Sequence, residues 1–214
     1  MVTTAAELRR SLDALATIEP GFAAGLERVG YPDPRVSARG HATLLRTIVG
    51  QQVSVASAAS VWRKLETALG DGVPVAALDA ATPELLREAG LSRQKSGYAQ
   101  SLARLIASGE LDLAHLPADD DEAIAALTQI KGIGRWSAEI YLLFAEGRAD
   151  IWPAGDLAVQ IETGLLLGLL DRPSEKQTRA LAEAWRPHRG AAAVFTWHHY
   201  GLRNRRTKGD AAPV

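Results

Sequence analysis

The chain of 214 residues contains no cysteine. Disulfides, zinc–thiolate sites and iron–sulfur clusters are thereby excluded. No apolar run approaches the roughly 20 residues of a membrane span. The opening stretch MVTTAAELRR lacks the apolar centre of a signal peptide. A soluble, cytoplasmic protein is expected, with no membrane partner. Net charge is also nearly absent: 24 Lys and Arg face 25 Asp and Glu, leaving −1. Charge therefore names no partner. It argues against a bulk nucleic-acid coat but leaves room for a local basic patch. Convincing strands are missing too. VPVAALDA (73–80) alternates briefly, but it is short and alanine-rich. No repeat of fixed period and no low-complexity linker interrupts the chain.

Helical signals fill the space left by these absences, and an all-α protein is expected. Thr4-Ala5-Ala6-Glu7 reads as a capping box, followed by Leu8, Leu12 and Leu15 at helical spacing until Pro20 stops the run. Further helices are expected over 41–51, 54–69, 82–90, 92–108, 120–129, 135–146, 157–170, 174–185 and 189–202. Thr82-Pro83 marks one start, and Gly70, Gly90 and Gly109 mark three stops. The acidic run Asp119 to Glu122 suits a helix N-terminus. The basic tail of Arg203, Arg205, Arg206 and Lys208 is either solvated or in reach of phosphates.

Two stretches carry chemistry. Lys131-Gly132-Ile133-Gly134 leaves only a hairpin between two helices. Its glycines let a ligand approach the main chain, and Ile133 can plug the gap between the helices. The amides from Gly132 to Arg135 then point outward at a helix N-terminus, which attracts phosphate. A plain αα-hairpin turn accounts for the same residues. Asp156 follows Trp152-Pro153-Ala154-Gly155 and opens an apolar helix. It is either an N-cap or a carboxylate held ionised to work on a sugar.

Together, IKGIGRWSAEIYLL (130–143) and DIWPAGDLAVQ (150–160) resemble the helix-hairpin-helix and Gly/Pro-rich loop with aspartate of the base-excision DNA glycosylases. The closer resemblance is to the 3-methyladenine DNA glycosylase II branch. LLRTIVGQQVSVASA (44–58), LSRQKSGYAQSLA (91–103) and EAWRPHRGAAAVFTWHHYG (183–201) extend it over about 40–203. The resemblance implies two helical lobes with a DNA-binding cleft between them. Residues 38–148 form one lobe, ending in the hairpin motif at about 120–146; residues 1–37 and 149–214 form the other. The proline-rich YPDPR at 31–35 is the expected crossing between them. The chain is expected to begin near the shared core, without the β-rich lobe some members carry.

By the same resemblance Asp156 is the catalytic residue, stabilising positive charge on the sugar and orienting water. Trp136 and Trp197 wall the base pocket. Gln52, with Gln51 beside it, wedges the duplex. Gly132, Ile133, Gly134 and Arg135 bind DNA phosphate. The carbonyls of Thr128, Ile130 and Ile133 match those that hold a monovalent cation, Na+ or K+, in relatives; no other cofactor is implied. Adjacent His198 and His199 project about 100° apart on a helix, a poor chelate, so no transition metal is expected. Strand-cutting members place a lysine where this chain has Trp136, so no Schiff base forms there. The implied enzyme is monofunctional and hydrolytic, acts on double-stranded DNA containing alkylated bases, associates with the nucleoid when on DNA, and works as a monomer. Two other readings use the same residues: a non-catalytic hairpin module that binds distorted duplex, and a helical scaffold with its tryptophans in a continuous core.

Overall fold

The computed structural model describes the backbone of residues 4–209 and the side chains of residues 4–204. Every regular element among them is helical: α1 (Ala5–Ile18), α2 (Pro20–Val29), α3 (His41–Gly50), α4 (Val55–Leu69), α5 (Val75–Ala80), α6 (Pro83–Glu88), α7 (Arg93–Ala107), α8 (Asp120–Thr128), α9 (Arg135–Phe144), α10 (Leu157–Leu166), α11 (Glu175–Leu181) and α12 (Arg189–Gly209). One turn of 3-10 helix, Ala182–Trp185, follows α11. Among the described residues no helix is long and apolar enough to cross a membrane.

Local chemistry sets most boundaries. The side chains of Thr4, Ser54, Thr82, Ser92, Asp119, Asp156 and Ser174 each accept the backbone N–H three residues on. Such a cap stabilises a helix by about 1 kcal/mol. Three expectations need correction. Pro20 ends α1, yet it also begins α2, because its ring suits the first helical position and Glu19 caps Gly21 N–H. The stretch 75–80 is helical, as its alanines favour. The helix begun at Leu157 stops at Leu166 instead of Leu170. There Gly168 turns to φ +63°, and Leu169 N–H reaches back to Gly164 O at 2.8 Å. The last helix runs beyond Leu202, but the side chains of Arg205, Arg206 and Lys208 in the basic tail lie outside the described residues.

The chain divides into two compact units: Ser37–Tyr141, here the central unit, and Met1–Val36 with Leu142–Val214, the terminal unit. The first division follows the YPDPR stretch. The second falls inside α9 and not after it. In the central unit α7 packs against α3, α5 and α6. Leu44, Leu45, Ile48, Leu65, Leu78, Leu86 and Leu102 are fully buried there, each worth about 1.5–3 kcal/mol. In the terminal unit α10 and α12 pack together, with α1 and α2 beside them. Its core carries an aromatic chain. Trp152 meets Trp185 edge-on at 5.4 Å, Trp185 meets Phe22 at 5.1 Å, and Phe22 meets Phe195 at 5.6 Å.

Candidate active site

The hairpin of the central unit is built by burial on one side and exposure on the other. Leu127, Ile130 and Ile133 are buried and fix the helices around the turn. Gly132 takes φ +85°, and a Cβ there would sit 2.1 Å from a ring carbon of Tyr98 on α7. Only glycine meets both conditions. Gly134 precedes the first residue of α9 and has no side chain with which to cap it. The amides of Gly132, Gly134 and Arg135 have no acceptor among the described residues. Ile133 differs from the sequence expectation: its N–H is committed to Ile130 O at 3.0 Å. Three outward amides therefore remain for an anion. The Arg135 guanidinium is also committed, to Asp121 at 2.8 Å and to the buried Glu139 at 3.0 Å. Arg135 contributes its amide to the turn, and its charge keeps Glu139 paired.

The α3–α4 turn lies against this hairpin. The Gln51 side-chain amide donates to Gly132 O at 2.7 Å. Gln51, expected beside the wedge, is thus half-buried and engaged with the hairpin. Gln52 is exposed and holds φ +55°, a left-handed conformation uncommon outside glycine. Val53 and Val55 beside it are exposed as well. On the first turn of α9, Trp136 leaves 46% of its surface open. The central unit therefore brings together Gln51, Gln52, Trp136 and the glycine turn.

Asp156 and Trp197 belong to the terminal unit. Asp156 is half-buried at the N-cap of α10, where one carboxylate oxygen accepts Val159 N–H at 3.1 Å. The preceding loop is rigid for identifiable reasons. Ile151, Trp152, Pro153 and Ala154 are all buried. The Trp152 indole N–H donates to Thr178 O at 3.1 Å. Gln160 reaches back to Ala154 O at 2.9 Å, and Asp156 N–H closes a turn on Pro153 O at 2.9 Å. Gly155 is exposed beside the acid. Trp197 is half-buried, 5.7 Å from the Phe144 ring, whose face carries the Arg35 guanidinium at 4.9 Å.

Sequence reasoning missed the frame behind this loop. The buried Arg189 grips both oxygens of Asp150 at 2.9 Å and reaches Glu183 at 2.8 Å. Arg186 bonds the same two acids, at 2.6 Å and 2.8 Å. The Arg186 hydrogen bond holds the Glu183 carboxyl below its ordinary range. A second missed cluster sits midway along α10. The fully buried Glu162 accepts from His199 Nδ1 and from Arg203 at 2.9 Å. His198 instead faces Val29 O at 3.1 Å, so the adjacent histidines serve separate partners.

Residues 45–187 match the family model of the HhH-GPD superfamily of base excision DNA repair proteins. The chain belongs to this superfamily, in its 3-methyladenine DNA glycosylase branch. Among curated relatives, DNA-3-methyladenine glycosylase 1 of Schizosaccharomyces pombe is 30% identical over 72% of this chain and 69% of its own length. The chain spans only 56% of the length of the putative DNA-3-methyladenine glycosylase YfjP of Bacillus subtilis and of DNA-3-methyladenine glycosylase 2 of Escherichia coli. Of the solved structures, a DNA-3-methyladenine glycosidase from Bacillus halodurans has TM-score 0.81 at 27% identity, covering 91% of both chains. The S. pombe 3-methyladenine DNA glycosylase in complex with abasic DNA has TM-score 0.72 at 25% identity, covering 91% of this chain and 97% of its own.

Proposed function

We propose that this protein is a monofunctional DNA glycosylase that removes alkylated bases, 3-methyladenine and related cationic adducts, from double-stranded DNA. The observation that carries this reading is the pairing, in one member of this superfamily, of an open glycine turn with a rigidly seated Asp156. The outward amides of Gly132, Gly134 and Arg135 suit a backbone phosphate, fixing register without reading sequence. Extruding the base costs a few kcal/mol. Gln52 fills the gap it leaves. Trp136 and Trp197 offer indole faces that favour a cationic ring by up to about 2 kcal/mol when desolvated.

In the step itself the bond between C1′ and the base nitrogen breaks. Both electrons leave with the base, which departs neutral. Positive charge gathers on the sugar ring, and Asp156 stabilises it. At about 4 Å and an effective dielectric near 20 the contact is worth about 4 kcal/mol, or roughly a thousandfold in rate. Water then bonds C1′ through oxygen, and its proton passes to Asp156 or to solvent. A base that already carries positive charge needs no strong acid to leave. Trp136 occupies the place of the strand-cutting lysine, so the product is an intact abasic strand. The carbonyls of Thr128, Ile130 and Ile133 are the candidate seat for Na+ or K+. Ile130 O already accepts Ile133 N–H, which leaves it one lone pair for the ion. A cation there would add positive charge toward the phosphate. The reading places the protein on DNA in the cytoplasm, as a monomer.

Release of 3-methyladenine from alkylated duplex by wild type and Asp156→Asn tests the assignment. The variant should bind abasic duplex normally and release base about a thousandfold more slowly. Normal release by the variant removes Asp156 from the mechanism. Borohydride treatment should trap no covalent adduct.

A further inference from the structure

One side of α7 touches both parts of the central unit's candidate DNA surface. Lys95, Tyr98 and Ser101 follow at three-residue spacing, which places them along one face of the helix. The Lys95 ammonium donates to Val49 O at 2.8 Å and to Gln51 O at 2.6 Å, at the C-terminus of α3. Tyr98 lies under Gly132. Ser101 accepts Lys131 N–H at 3.2 Å. The Gln51 side chain then joins the two places through Gly132 O at 2.7 Å. Burial pushes the Lys95 ammonium below its ordinary pKa, so this placement has a cost.

The position of the Lys95 bond matters. Gln51 O lies in the same peptide plane as Gln52 N, and planarity makes that unit rigid. Holding the carbonyl therefore sets the plane from which Gln52 leaves at φ +55°. A left-handed residue other than glycine is strained and persists where its surroundings over-determine it. Here those surroundings are a cation on the preceding carbonyl and a hydrogen bond on the preceding side chain.

We infer that Lys95 is a positioning residue: through the Gln51 peptide it presents Gln52 to the duplex and keeps that wedge in register with the phosphate-binding hairpin. The inference rests on the wedge role given to Gln52 above. It does not require Lys95 to touch DNA.

The test separates wedge insertion from chemistry. The probe is a duplex carrying a tetrahydrofuran abasic analogue opposite 2-aminopurine, whose fluorescence rises as the helix is unstacked. Wild type, Lys95→Met, Gln52→Ala and the double variant are compared at saturating protein, with circular dichroism and melting as controls. Lys95→Met should keep the helical fold and lose at least about two-thirds of the rise, as should Gln52→Ala. The double variant should lose no more than either alone, because coupled residues are non-additive. Gln51→Met cuts the same chain one link later and should show the same non-additivity, which covers the case of a poorly folded Lys95→Met. A full rise in Lys95→Met, or losses that multiply in the double variant, overturns the inference. A wild type that unstacks the probe but releases no alkylated base would sink the glycosylase reading and leave this one standing.

Discussion

The two helix starts at α9 and α10 make an instructive pair. Each follows a glycine-bearing turn, and each begins with amides that need acceptors. At α9 the cap position is Gly134, which supplies no side chain. At α10 it is Asp156, whose carboxylate already accepts Val159 N–H. The first N-terminus is left for an outside anion. The second carries its own anion, stabilised there by the same dipole. One element of geometry thus serves the proposed phosphate grip in one place and seats a carboxylate in the other. A single side chain decides which.

The supports differ as well. The hairpin is braced by Tyr98 and Ser101 of α7, by Gln51 and by the half-exposed Arg135 with its partners Asp121 and Glu139, whereas the aspartate loop is tied by the Arg189–Asp150–Glu183–Arg186 cluster around a buried guanidinium. Arg189→Met should therefore strike the terminal unit hardest. Removing a buried charge partner costs about 3–5 kcal/mol. The low end is expected here, because Arg186 still holds Asp150. Urea denaturation should show a lower midpoint, and an unchanged midpoint would mean the cluster is not the loop's frame. Gly134→Asp tests the comparison directly. A Cβ at Gly134 meets nothing within 4 Å, so the fold should tolerate it. The new carboxylate would cap α9 and repel phosphate. Abasic-duplex affinity, read by anisotropy, should fall by about a hundredfold or more, given roughly 4 kcal/mol for unit charges at 4 Å. The smallest effect concerns pH. Glu183 has a folded pKa below its ordinary 4.5. Its contribution is complete above 4.5 and is lost as pH falls through the lower folded value. Acid melting curves of wild type should therefore drop more steeply below about pH 4.5 than those of Glu183→Gln.

What was legible in the sequence follows from the range of the interactions. Caps act within three residues, so Thr4, Ser54, Thr82, Ser92, Asp119 and Ser174 announce their helices locally. The glycine turn and the Pro-Ala-Gly step before Asp156 are equally local. Pro20 misled because proline ends one helix and begins the next with the same fixed φ. Gly168 gives no clear stop signal, because the leucines around it continue a helical pattern. The bracing was illegible for another reason. Arg189 lies 39 residues from Asp150, Arg203 41 from Glu162, and Lys95 46 from Val49. A charge paired over such spans looks like any surface charge until the chain is folded. The commitment of Ile133 N–H likewise depends on the turn's geometry, since any residue type supplies that donor.

The distribution of indoles gives the molecule two optical reporters. Trp62, Trp152 and Trp185 are shielded from solvent, while Trp136 is 46% open and Trp197 is only half-buried. Emission from the shielded rings follows unfolding. Quenching by a water-soluble collisional agent senses chiefly the other two, where a stacked base would screen them. Folding and occupancy can thus be watched in the unlabelled protein by the same light.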